Sequence, residues 1–185
     1  MSSYAHYFAL PPFIFTNPYA STLLPIAAGT LVGFSTQPKK TQKTYLDIKQ
    51  PPLRPPPWVF GPTWTALYGL MGYAAYRAWT IGHASFDPAK SVLAERGAIL
   101  YTTQLVLNLA WMPLFFGAGR VAEAAVDIFA LIGTVGYLTY TWAQIDDVSA
   151  YCLVPYLAWL GFASYLTVGV GYLNGWRLEK RDKKA

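Results

Sequence analysis

Charge is what this chain has least of: Asp, Glu, Lys and Arg together make up only 12% of its 185 residues. A soluble domain carries roughly twice that share, so an ordinary water-facing surface is excluded. Cysteine occurs once, at Cys152, which rules out an internal disulfide framework and a cysteine metal site. Only two histidines are present, His6 and His83, and they are not in ligand spacing. No nucleophile–base pair, phosphate loop or nucleotide motif is visible, so conventional catalysis has no support and no required cofactor is implied. What fills the space instead is apolar and aromatic: 54% hydrophobic and 17% aromatic residues, with mean hydropathy +0.28. The composition is that of an integral membrane protein.

Residues 51–68, PPLRPPPWVFGPTWTALY, organise the rest. Proline fixes φ and donates no hydrogen bond, so Pro55, Pro56 and Pro57 form a stiff extended lead-in. A helix then begins near Trp58, with Pro62 in or just after its first turn, and runs to about Trp79 with Arg77 as its only charge. Before it, residues 1–17 form an N-terminal segment without Lys or Arg, and they lack the basic start of a signal peptide. A first span is expected over residues 18–35, with Pro25 inside it and the close-packing spacing Gly29-xxx-Gly33. Residues 37–57 form a basic loop, and residues 82–95 a polar connection in which Asp87-Pro88 suits a turn or a helix start. Further spans are expected over residues 96–116, 122–145 and 149–174. The fold class is therefore an all-α integral membrane protein, a bundle of five transmembrane helices over residues 18–178. A basic tail, residues 179–185, closes the chain.

Five spans place the connections alternately. Eleven of the 14 basic residues then fall on the side of the first loop, the Arg120 turn and the C-terminus, and only Arg77, Lys90 and Arg96 on the other. The positive-inside rule puts the basic side, with the C-terminus, in the cytosol. Five tail charges beside a span serve topology and anionic lipid contact, so nucleic acid is not an expected partner.

Three helix faces mix aromatic planes with a few hydrogen-bonding groups, and polar groups inside a span call for a partner or a function. The second helix aligns Gly61, Trp64, Tyr68, Gly72, Ala75 and Trp79. The third aligns Gln104, Asn108, Trp111 and Phe115, and the fifth aligns Tyr156, Trp159, Ala163 and Thr167. Pointed inward together they form an apolar pocket with few polar anchors. The same residues also suit a bundle interior that binds nothing, and pattern alone leaves both readings open. Asp127, near the start of the fourth helix, reads as an interfacial or inter-helix hydrogen bonder.

Three stretches carry a resemblance: WVFGPTWTALY at 58–68, LYTTQLVLNLAWMPLFFG at 100–117 and LVPYLAWLGFAS at 153–164. They closely resemble the TspO/MBR family, in the right order and across residues 20–178. The resemblance implies five transmembrane helices and a pocket for porphyrins, haem-type tetrapyrroles, sterols and benzodiazepine-like ligands. It implies pocket positions at Trp58, Trp64, Asn108, Trp111, Trp159 and Ala163, to which the second-helix face adds Tyr68. Trp64 and Trp159 would be stacking walls, Asn108 the main anchor, and the proline-rich loop a cover. Family habit further implies a homodimer and, for animal members, the mitochondrial outer membrane.

Two departures stand out. Thr44 and Leu53 occupy loop positions where many members carry aromatics implicated in light-dependent porphyrin breakdown, although Tyr45 remains. The sterol pattern of animal members is met by Val168, Tyr172 and Arg177 only across inserted residues. An interfacial tyrosine followed by a snorkelling arginine reads the same way. The resulting function is a receptor or transporter-like protein for tetrapyrroles and other hydrophobic ligands, possible sterols among them. The alternatives are a photooxidative porphyrin-degrading protein and a scaffold with a vestigial pocket.

Overall fold

A computed structural model describes residues 8–178, which are built of helices and their connections. The basic tail at residues 179–185 lies outside the described residues. Five long helices carry the architecture: α2 (Pro18–Ser35), α4 (Phe60–Ala84), α5 (Pro88–Met112), α6 (Val121–Ala143) and α8 (Val154–Asn174). Three short ones accompany them: α1 (Pro12–Thr16), α3 (Pro38–Asp47) and α7 (Asp147–Tyr151). The long helices pack in sequence, α2 on α4, α4 on α5, α5 on α6 and α6 on α8. The main core lies between them, centred on Met71, Tyr101, Leu131, Trp142 and Tyr156.

Local chemistry fixes the boundaries. Asn17 caps α2, its side chain accepting from the Tyr19 and Ala20 amides, and Pro18 suits the first turn. Asp87 caps α5 in the same way through the Ala89 amide at 2.9 Å. That cap settles the Asp87-Pro88 motif as a helix start, so α5 begins eight residues earlier than position 96. A π-turn, Pro113–Gly117, ends α5 because Pro113 cannot donate into the helix ladder. Asp146 caps α7, which sits where the fifth span was expected to run on unbroken. Pro155 in the first turn of α8 makes that position a fresh helix start.

Two expectations change in the membrane reading. Three segments are long and apolar enough to cross a membrane: Pro88–Gly117, Val121–Ala143 and Asp147–Asn174. Helices α2 and α4 fall outside that group. Pro25, serines and threonines dilute α2, while tyrosine, tryptophan, glycine and Arg77 stand along α4 where a span would carry aliphatic residues. The first loop, for its part, is not all extended. Its basic stretch coils into α3, with Tyr45 buried beneath it.

Small residues set the closest approaches. Gly72 brings α4 against Ser21 of α2, whose hydroxyl donates to the Gly72 carbonyl at 2.8 Å. A side chain at Gly29 would strike the Tyr68 ring, whereas Gly33 has open space before it. The Gly29-xxx-Gly33 spacing is therefore half used within the chain, to seat Tyr68.

The two ends of the bundle differ. At one end, called here the loop end, the first loop meets the α5–α6 turn and the residues after α8. Asn174 bonds both backbone groups of Lys49, and the Leu178 amide donates to Gly119 O at 2.9 Å. At the far end Arg77 forks onto both oxygens of Asp146 at 2.9 Å, and Lys90 reaches Ile145 O. The N-terminal segment also packs there. Phe15 is 1% exposed and stacks on Trp79 at 5.3 Å, and Ala9 and Leu10 pack against the same core.

Candidate functional site

The three aromatic-polar faces do meet. Near the middle of the bundle the Tyr68 hydroxyl donates to Asn108 Oδ1 at 2.6 Å, joining α4 to α5. Asn108 Nδ2 donates to the Tyr156 hydroxyl at 2.8 Å, joining α5 to α8. Tyr156 in turn donates to Gln104 Oε1 at 3.1 Å, and Gln104 Nε2 faces the Met71 sulfur at 3.7 Å. All five residues are buried. Inside a bundle, polar groups left unpaired cost several kcal/mol, roughly, so a closed string of this kind pins the three helices in one register.

Tryptophans flank the string. The Trp64 ring lies 5.5 Å from Tyr68 and edge-on to Tyr156 at 6.1 Å. Trp159, one turn along α8 from Tyr156, meets Phe60 edge-on at 5.9 Å, and Phe60 meets Tyr45 at 5.5 Å. The loop is drawn over this aromatic row by the Tyr45 hydroxyl on Pro55 O at 2.7 Å and the Tyr165 hydroxyl on Pro52 O at 3.0 Å. Gln50 Nε2 adds a bond to Tyr45 O. Burial raises the Tyr45 phenol above its ordinary value, with nearby Arg54 acting the other way, so it stays a neutral donor. Pro51 lies on α8 at Gly169, where a side chain would come within 2.7 Å of its ring.

The sequence-predicted residues divide clearly. Trp64, Tyr68, Asn108 and Trp159 converge on the string, and Ala163 continues the α8 face one turn beyond Trp159. Trp111 stands further along α5, stacked on Phe115 at 4.8 Å. Trp58 stands apart from them, 73% exposed in the 3₁₀ turn Pro57–Val59. Asn108 is an anchor for protein rather than a free one, since its oxygen and its nitrogen each serve a tyrosine. The Tyr68 and Tyr156 phenols are buried at this level. A crevice of about 120 Å³ lies elsewhere, between Thr36, Lys40 and Thr44 on one side and Phe116 on the other.

The sterol pattern is broken in space. Val168 and Tyr172 share a face of α8, Tyr172 being exposed, but the helix ends at Asn174. Gly175 and Trp176 take positive φ, and Arg177 pairs with Arg120 in an antiparallel bridge. Arg177 therefore leaves the helix face that Tyr172 occupies.

Sequence reasoning placed Gln104 and Tyr156 on the correct faces without finding their bonds, which only the packing of α5 on α8 creates. It missed Phe60 and Tyr165 as parts of the loop contact. It read Asp127 as an interfacial or inter-helix hydrogen bonder. Asp127 is buried, and its Oδ2 has no hydrogen-bond partner. The indole N–H groups of Trp111 and Trp159 and the Tyr101 hydroxyl are likewise buried without a partner.

Fold and site together define a polytopic helical membrane protein with a tryptophan-walled, amide-and-phenol interior. The chain belongs to the TspO/MBR family, whose pattern it matches over residues 21–173. It is 43% identical to the translocator protein homolog of Schizosaccharomyces pombe over 159 residues, covering 85% of this chain and 92% of that protein. It is 38% identical to the translocator protein of Homo sapiens over 161 residues, covering 86% and 92%. The tryptophan-rich protein TspO of Archaeoglobus fulgidus is 36% identical over 155 residues, covering 84% and 95%.

Proposed function

We propose that this protein is a membrane receptor or transporter-like protein. It binds porphyrins, haem and other planar hydrophobic ligands between α4, α5 and α8. The observation that carries this reading is the convergence of Trp64, Trp159 and the Tyr68–Asn108–Tyr156 string on one level of the bundle. Tryptophan walls offer stacking and apolar burial to a flat ring. The unpartnered indole N–H of Trp159 offers a donor to a polar edge. Family membership and relatives named translocator protein support the same reading. In this reading α2 and α4 complete five spans. The loop end and C-terminus face the cytosol, the membrane is the mitochondrial outer membrane, and the working unit is a homodimer.

Titration with haem and protoporphyrin IX, read by the porphyrin's own Soret shift, tests the site. Trp64→Ala and Trp159→Ala should each weaken binding by about 1–3 kcal/mol, roughly five- to 150-fold. Leu23→Ala, on an exposed face of α2, should change it little. If both tryptophan variants bind like the parent, the ligand lies elsewhere.

A further inference from the structure

The crevice at the loop end is a feature that the aromatic interior does not use. It lies between the end of α2 (Ser35, Thr36), the α3 residues Lys40, Thr41 and Thr44, and Phe116 at the end of α5. None of these belongs to the Trp64–Trp159 site. Short side chains leave the space open, and no acid stands among the described residues that line it. Most of its hydroxyls have already donated inward: Ser35 to Val32 O at 2.8 Å, Thr36 to Gly33 O at 2.9 Å, Thr41 to Thr36 O at 2.8 Å. Lys40 is different, since among the described residues it forms no ion pair. Lys39 and Lys43 stand near it on α3, whereas the one acid of that helix, Asp47, lies about two turns further on. The charge that the crevice presents is therefore positive.

Its place in the fold points to a lipid. Phe116 stands at the end of Pro88–Gly117, a segment long and apolar enough to cross a membrane. The crevice therefore opens at the level where headgroups begin. Leading up to it, α2 turns an apolar strip outward. Tyr19, Leu23, Ala27, Leu31 and Phe34 recur every three or four residues and all are exposed, Leu31 at 70% and Phe34 at 69%. Leu31 lies one turn before Ser35, so the strip runs into the crevice without a break. From Tyr19 to Phe34 it rises about 22 Å, more than the half-thickness of a ~30 Å hydrocarbon core that one acyl chain spans. A long apolar strip ending in a cation matches a single lipid molecule, chains along the helix and headgroup at its end.

We propose that this crevice is a binding site for the headgroup of an anionic glycerophospholipid. The Lys40 ammonium pairs with the lipid phosphate, and the acyl chains lie along Leu31 and Phe34. A charge-assisted hydrogen bond carries the pairing. A zwitterionic headgroup binds less well, because its own cation competes for the phosphate and is repelled by Lys40. The bound lipid joins α2, α3 and the end of α5 at the point where the first loop begins. The inference stands apart from the porphyrin site, with which the crevice shares no residue.

Native mass spectrometry of the full-length protein in a non-ionic detergent tests it, by titration with dioleoylphosphatidylglycerol or dioleoylphosphatidylcholine. The parent should bind one phosphatidylglycerol about tenfold more tightly than phosphatidylcholine, the size of one charge-assisted hydrogen bond. Lys40→Gln should remove most of that preference, and Lys40→Arg should keep it. Lys39→Gln removes the same net charge from outside the crevice. It should leave the preference within about twofold, because an exposed charge out of contact is screened by salt. Thr44→Trp fills the crevice with a ring and should abolish the preference with every lysine in place, which keeps the test alive if Lys40→Gln does not fold. Glycerol 3-phosphate, an anion without chains, should not displace the lipid even at about hundredfold excess. Equal losses in Lys40→Gln and Lys39→Gln would mean that overall charge selects the lipid, and would overturn the inference. Equal binding of the two lipids by the parent would overturn it as well. Displacement by glycerol 3-phosphate would make the crevice a site for a free anion, and the lipid assignment would fall.

Discussion

The far end of the bundle and the loop end are held by different kinds of force. At the far end the fastenings are a buried aromatic ring and a two-pronged, partly buried ion pair. Phe15 is sandwiched between Trp79 at 5.3 Å and Tyr101 at 5.8 Å, the Leu10 amide donates to Thr102 Oγ1, and Arg77 forks onto Asp146. At the loop end the bonds are hydrogen bonds to backbone, mostly exposed: Tyr45 to Pro55 O, Tyr165 to Pro52 O, and Asn174 to both backbone groups of Lys49. Aromatic burial is worth several kcal/mol per side chain, roughly, and a lone exposed hydrogen bond about one. The contrast implies that the loop end opens first. A ligand bound beside Trp64 and Trp159 would then enter and leave past the proline-rich loop, with the N-terminal segment as a permanent plug.

The largest blow to that contrast is Phe15→Ala. Deleting a ring that is 1% exposed should cost about 3–5 kcal/mol and lower the detergent melting temperature markedly. Ligand dissociation should stay near the parent's, provided the variant folds. A variant as stable as the parent would show that the plug holds nothing, and that the two ends are equivalent.

Next in size comes the ion pair. The hydrogen bonds and charge of Arg77 hold the Asp146 carboxyl down at about 2, below its ordinary value, with the Ser149 amide and hydroxyl assisting. A depressed carboxyl contributes its stability in full above the ordinary carboxylate range, near pH 4. The contribution is lost as pH falls from there through about 2. Asp146→Asn should therefore cost about 1–3 kcal/mol at neutral pH and flatten the stability profile between pH 4 and 2. A profile with the same slope in parent and variant would remove Asp146 from the account.

How much of this was legible beforehand follows from where the signals sit. Helix ends marked by local chemistry were readable: Pro18 and Asn174 bound α2 and α8 as the sequence suggests, because caps and prolines act over a few residues. Faces were readable too, since Tyr68, Asn108 and Trp159 share one interior by helical spacing alone. The partners were not. That Asn108 would spend both ends of its amide on Tyr68 and Tyr156 depends on the distance between three helices, which no spacing encodes. Helix α3 was hidden because its lysines read as loop, with Tyr45 as its one buried residue. The Phe15 plug was hidden by Pro11-Pro12, which break the apolar run that would otherwise have marked a packed element. The exposure of Trp58 was not legible either, because a motif gives the residue but not the direction of its ring.

The smallest expected effect separates the two ends most finely. Gly169 lies on α8 where Pro51 crosses it, and an added methyl would sit 2.7 Å from the proline ring. Gly161, two turns earlier on the same helix, has nothing within 4 Å. Alanine favours a helix interior over glycine by about 1 kcal/mol, so Gly161→Ala should stabilise modestly and leave the loop untouched. In Gly169→Ala that gain is offset by the clash, so overall stability should move by less than about 0.5 kcal/mol. What should change is local. With Pro51 lifted from α8, trypsin should cut after Lys49 several-fold faster than in the parent or in Gly161→Ala. Faster cutting without loss of melting temperature would mean that the loop opens independently of the bundle, whereas equal cutting in all three would mean that Pro51 is no fastening. In that case the loop would be held by its tyrosine and asparagine bonds alone.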